Sequence, residues 1–189
     1  LSLMLDRFDW GSGKFEVVKP LLDTSLDPET GVSRAKITGG AMKGAIIRSA
    51  YDPSVAVHKG TYYLAYECTV ENGAHFGAYG TSSCVSVYHP DTRTIDFART
   101  AVVVSGVVKP GLTWAAAIPR LLEWSGKLYL YWSAGEREQG DVTDWRVRGA
   151  ELVANGSSVA IKGRDGPVPS TTSLATDLWR RQASDAVGG

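Results

Sequence analysis

The chain has 189 residues, enough for one domain with a sizeable core. Its 20 Lys+Arg and 20 Asp+Glu give a formal net charge of +0, which argues against a dedicated binder of nucleic acid or anionic membrane, since both carry a basic excess. Hydrophobic residues make up 43% without a run long enough to span a membrane as a helix, and 21 Gly, 8 Pro, 6 Trp and 8 Tyr favour an all-β chain whose rings fill strand faces or stack on sugars.

The first ten residues, "LSLMLDRFDW", lack a basic segment ahead of a long apolar core, and Asp6 interrupts them. They are not read as a signal peptide, and the chain is expected to be a piece of a longer protein. Phe15 to Val18 and Ala45 to Ile47 predict short strands. In "DTSLDPETG", 23–31, Asp23, Ser25 and Asp27 alternate like the start of a calcium loop. Pro28 stands where that loop needs Gly and Arg34 where it needs a closing Glu, so an Asx-type turn is expected instead.

The stretch "AYDPSVAVHKGTYYLAYE", 50–67, predicts a hairpin. Val55 and Val57 alternate with Ala56 and His58, Gly60 permits the turn, and Tyr62, Leu64 and Tyr66 alternate with Tyr63, Ala65 and Glu67. "ENGAHFG", 71–77, reads as a loop, 83–89 as a third strand, "PDTRTIDF" as a turn and 100–106 as a fourth strand. Cys68 and Cys84 either bridge paired strands or stay as two buried thiols, and the spacing does not decide between them.

A related pattern returns as "AIPRLLEWSGKLYLYWSA", 117–134, with Pro119 matching Pro53 and Gly126 matching Gly60 at an offset of 66. Later strands are predicted at Trp145 to Val153 and Val159 to Ile161, followed by a Gly-, Pro-, Ser- and Thr-rich tail. A four-stranded antiparallel unit that repeats predicts a β-propeller with two to three blades in this chain. The expected divisions are flanking strands at 1–49, one blade at 50–113, a second at 114–162, and a tail or the start of another blade at 163–189. The alternative is two unrelated hairpins in a sandwich.

"YDPSVAVHKGTYYLAYE" resembles the first blade of five-bladed propeller glycoside hydrolases, the arabinanase and xylosidase group of glycoside hydrolase family 43. "WAAAIPRLLEWSGKLYLYWS" is similar to their second blade, and the resemblance covers about residues 50–135. It implies a carbohydrate ligand and an extracellular or periplasmic setting. No Gly-rich phosphate loop, Cys/His zinc spacing or basic excess stands in the sequence, so no cofactor, metal, nucleic-acid or membrane partner is expected. The resemblance also implies that Asp52 is the general base that activates water for an inverting attack on the anomeric carbon. Without the resemblance, Asp52 reads as a turn residue before Pro53.

The family's second blade supplies another acid that tunes the pKa of the catalytic acid. Counting back from the second Gly turn gives Arg120 at that position, and anchoring on Trp114-Ala115 gives Ala117; neither is acidic. Arg120 is expected either to hold a carboxylate or to pair with Asp52. The general acid of the family is a third-blade Glu, and Glu67 and Glu136 are the candidate surrogates here. Glu123 reads as a solvated face residue. Tyr51, Trp114 and Trp132 are sugar-stacking candidates, and His75 is a pocket candidate from its loop. The missing second acid favours an alternative, a non-catalytic carbohydrate-binding or interaction propeller.

Overall fold

A computed structural model describes residues 2–30, 34–71, 81–109, 112–138, 141–155, 158–164 and 167–169. At 107–109, 112–114, 135–138, 141–146, 155, 158 and 169 it describes the backbone alone. Among these residues the structure is all-β. The strands are β1 (Leu3–Asp9), β2 (Lys14–Leu22), β3 (Ile46–His58), β4 (Thr61–Glu71), β5 (Thr81–His89), β6 (Thr94–Ser105), β7 (Val107–Lys109), β8 (Leu112–Trp124), β9 (Lys127–Glu138), β10 (Asp141–Asn155), β11 (Ser158–Ile161) and β12 (Val168–Pro169).

They form three sheets: a β1-β2 hairpin, a five-stranded sheet ordered β12-β6-β5-β4-β3, and a second ordered β11-β10-β9-β8-β7. Each large sheet contains four consecutive antiparallel strands, the make-up of a propeller blade. The expected strands at 15–18, 83–89, 145–153 and 159–161 fall within β2, β5, β10 and β11, while those at 45–47 and 100–106 overlap β3 and β6 and overrun each by one residue. The turn read over "PDTRTIDF" is shorter than expected, because β6 begins at Thr94.

Two turns fix the repeat. His58 pairs Thr61 and Trp124 pairs Lys127, which leaves the two-residue loops Lys59-Gly60 and Ser125-Gly126. All four loop residues have positive φ, at 50°, 76°, 52° and 74°, as a type I′ turn requires. This turn matches the right-handed strand twist and sets the register on both sides.

The central strands β4 and β5 of the first large sheet are buried on both faces, while the edge strand β3 leaves Val55 and Val57 exposed. Tyr63, Ala65, Val85 and Val87 pack with Leu128, Leu130 and Trp132 of the second sheet. On the other face, Leu64, Tyr66, Val70 and Val102 pack with Leu22, Ile37 and Ile47. Cys68 and Cys84, both buried, join in a disulfide across β4 and β5. The second sheet buries one face and leaves Leu122, Trp124, Tyr131 and Val147 exposed on the strands.

The N-terminal segment closes the first sheet. Thr38 N donates to Phe97 O at 2.9 Å, and a Cβ at Gly39 would lie 2.2 Å from Ala98 O. In the 23–34 segment, Asp23 accepts from Ser25 N, Asp27 accepts from Glu29 N and Thr30 N, and Arg34 lies beside both carboxylates. These hydrogen bonds form the expected Asx turns. The Ser25 hydroxyl and amide hold Asp23 below the usual carboxylate range, and the Thr30 and Glu29 amides do the same for Asp27.

Candidate functional site

Two matching bulges define the site. In β3 the pairing with β4 jumps from Tyr51↔Glu67 to Ser54↔Ala65, leaving Asp52 and Pro53 unpaired. In β8 the pairing with β9 jumps from Ala117↔Ser133 to Arg120↔Tyr131, leaving Ile118 and Pro119 unpaired. Asp52 has φ 48° and Ile118 has φ 50°. A left-handed conformation before proline is a strained choice, and for a β-branched residue it is an outlier.

The bulges correct the sequence alignment. The position equivalent to Asp52 is Ile118, not Arg120 or Ala117. Each bulge has the same two residues, so the offset of 66 runs through it unchanged. Arg120 is the counterpart of Ser54, Ala117 of Tyr51, and Ser133 of Glu67. The second copy thus lacks the first copy's acids, and it also lacks its Tyr.

The two bulges are knitted together across the sheets. Ile118 N donates to Glu67 Oε2 at 3.1 Å, and Leu121 N donates to Ser54 Oγ at 3.0 Å. Arg120 Nη1 donates to the carbonyl oxygens of Asp52, at 3.3 Å, and of Pro119, at 2.9 Å. Ser83 Oγ donates to Ala116 O at 2.8 Å. Arg120 therefore binds the backbone of Asp52 rather than forming the carboxylate ion pair that the sequence allowed.

Glu67 lies within β4, between Tyr51 on β3 and Ser83 on β5. It is half-buried, and desolvation pushes its carboxyl above the usual range. The Ile118 amide opposes that shift, and the charge of Asp52 adds to it. The arrangement is a carboxylic acid disposed to keep its proton beside an exposed carboxylate on a strained bulge. Such a pair can divide general acid and general base roles.

The other candidates fall differently. Tyr51 is partly buried and directly opposite Glu67. Trp132 is 2% exposed within the core and offers no ring face to a sugar, a correction that follows from its position on the inward face of β9. Its Nε1 has no hydrogen-bond partner among the described residues. The counterpart Tyr66 is also buried, but its hydroxyl joins Ser86 Oγ at 3.0 Å. Trp114 and Glu136 pair in register on β8 and β9, and their side chains lie outside the described residues, as does His75 entirely.

A separate cleft of about 350 Å³ opens between the sheets at their turn end, lined by His58, Lys59, Arg99, Lys127 and Glu151 among others. His58 lies six positions from Asp52 along β3, roughly 20 Å of extended strand. Near that end Glu123 is exposed, with Oε1 3.9 Å from His58 Nδ1. The cleft is thus remote from the bulges. Sequence reasoning missed the Ile118 amide, although the repeat offset applied to Asp52 leads directly to it.

No family model and no curated protein matches the chain. Among solved structures, it is similar to the glycoside hydrolase family 43 YxiA protein from Bacillus licheniformis, with a TM-score of 0.40, 16% identity, and coverage of 86% of this chain and 43% of that one. It is also similar to an endo-1,5-α-L-arabinanase from Thermotoga petrophila RKU-1, with a TM-score of 0.38, 14% identity, and coverage of 86% and 42%. An endo-1,4-β-xylanase from Bacteroides thetaiotaomicron VPI-5482 overlaps at a TM-score of 0.24 and 11% identity, with coverage of 88% and 77%. The chain spans less than half the length of the first two, and overlaps at these scores carry no functional property across.

Proposed function

We propose that the chain belongs to a glycoside-hydrolase-like propeller acting on a polysaccharide or oligosaccharide. In this reading Asp52 is the general base of an inverting hydrolysis and Glu67 is the surrogate general acid, with Tyr51 and Arg120 facing the substrate. The reading is carried by one observation: Glu67, with a raised carboxyl pKa, sits close enough to Asp52 to feel its charge at the junction of two bulges. A general acid must hold its proton until it is needed, and burial raises the Glu67 carboxyl in that direction. The resemblance of residues 50–135 to family 43 blades supports the same assignment of Asp52.

The test is turnover of arabino- and xylo-oligosaccharides, neutral and uronate-bearing, by the full-length protein and its D52N and E67Q variants. Loss of about 10²- to 10⁴-fold in kcat with binding retained is expected for each. Equal turnover by wild type and D52N would sink the catalytic reading. A second reading is favoured by Ile118, which stands where an acidic second copy would need a carboxylate. It is a carbohydrate-binding propeller without catalysis, and oligosaccharide binding with no turnover by wild type selects it.

A further inference from the structure

Arg120 carries five N–H donors, and its two hydrogen bonds both leave from Nη1. They fix the guanidinium against the carbonyls of Asp52 and Pro119, on the rim of the proposed site. The Nε and Nη2 edge has no partner among the described residues, and the side chain is exposed. That edge is a planar fork matched to a carboxylate. Directly opposite in register, on the same face of the second sheet, stands Tyr131, 37% exposed. Gly149 pairs Tyr131 on the next strand, and a Cβ there would lie 2.7 Å from the Tyr131 ring. The absent side chain makes room for the ring against the strand.

A fixed guanidinium beside a partly exposed ring is a recognition pair for a sugar bearing a carboxylate. The ring packs against the apolar face of the pyranose, and the fork takes the acid group. The corresponding residue of the first copy is Ser54, whose hydroxyl accepts from Leu121 N, so the charge belongs to the second copy alone. The chain as a whole has a formal net charge of +0, and attraction for an acid therefore has to be local.

We propose that Arg120 and Tyr131 form a subsite for a sugar carboxylate and that the ligand of this site is a uronate-bearing glycan. The inference rests on the carbohydrate reading above and adds the substrate class to it.

The experiment is calorimetric titration of the full-length protein with galacturonate, glucuronoxylan and alginate oligomers, each beside its carboxyl-reduced neutral form. Wild type is expected to bind at least one acidic series roughly 10- to 100-fold more tightly than its neutral form, the range for a charge-assisted pair. R120Q brings that ratio to about one, and R120K, which keeps the charge without the fork, retains part of it. If wild type binds neutral forms as tightly as acidic ones, or R120Q leaves the ratio unchanged, this inference falls while the carbohydrate reading stands. If no series binds, this inference falls, and the carbohydrate reading falls with it only when the arabino- and xylo-oligosaccharides above are neither bound nor turned over.

Discussion

The backbone amide of Ile118 donates to the Glu67 carboxylate across the two sheets, at 3.1 Å. One bulge thus supplies the hydrogen bond that steadies the acid beside the other. This amide is free to do so because the bulge removes residue 118 from the ladder with β9.

A pH dependence follows from Glu67. Burial raises its carboxyl pKa above the unfolded value of about 4.3, with Asp52 adding to the shift and the Ile118 amide opposing it. In the interval above that value the folded state binds more protons than the unfolded, so this residue's contribution falls as pH rises through its folded pKa. Gln at this position accepts the same amide bond without ionising. Urea denaturation should show E67Q close to wild type at pH 3 and more stable at pH 7. A larger gap at pH 3 would contradict this account.

Ile118 holds a left-handed conformation that costs of order 1–3 kcal/mol, while its side chain is 43% exposed. Gly adopts that φ freely and loses roughly 0.5–1 kcal/mol of chain entropy. Ile118→Gly is therefore expected to raise stability by about 1 kcal/mol, read as an increased Tm. A decrease in Tm would mean that the isoleucine side chain packs more usefully than its exposure indicates.

Gly39 is needed for space. A Cβ there would sit 2.2 Å from Ala98 O, and the obstructing atom is backbone held by the Thr38–Phe97 hydrogen bond. Gly39→Ala should cost about 2 kcal/mol, within the usual range for overpacking. Chemical denaturation measures it, and a change below about 0.5 kcal/mol would show that the N-terminal segment yields easily.

The disulfide closes a loop of sequence separation 16 between buried Cys68 and Cys84. Chain-entropy reasoning gives about 3 kcal/mol for a loop of this size. The C68A/C84A protein should lose about that much stability, as should the wild type after reduction. Matching denaturation curves with and without reductant would argue that the bridge does not form in solution.

The hairpins were legible because two-residue turns with Gly are rigid punctuation, and Val–Tyr alternation has only one sensible register around them. The β1-β2 hairpin was only half seen: Phe15 to Val18 pointed to β2, while β1 runs from three apolar residues, Leu3 to Leu5, into Asp6-Arg7 without a period of two. Trp132 was misjudged as a stacking residue because it lies on the one face of β9 that packs against the first sheet. An aromatic near a candidate site can then belong to the core. The equivalence of Ile118 with Asp52 was hidden by chemistry, since isoleucine is among the last residues expected at positive φ. Asp52 and Glu67 were both visible in the sequence, but their junction through another strand's amide is a tertiary fact.

The pairing of β12 with β6 has a consequence for the order of assembly. Val168 lies in parallel register with Val104, and Ser105 Oγ donates to Val168 O at 3.4 Å. The strand that completes the first sheet thus arrives only after the whole second sheet has been synthesised. On the ribosome, the outer edge of β6 waits uncovered while β7 to β11 emerge. Its pairing joins Val104 to Val168, a long-range contact whose loop-closure entropy is lost before the pairing returns anything.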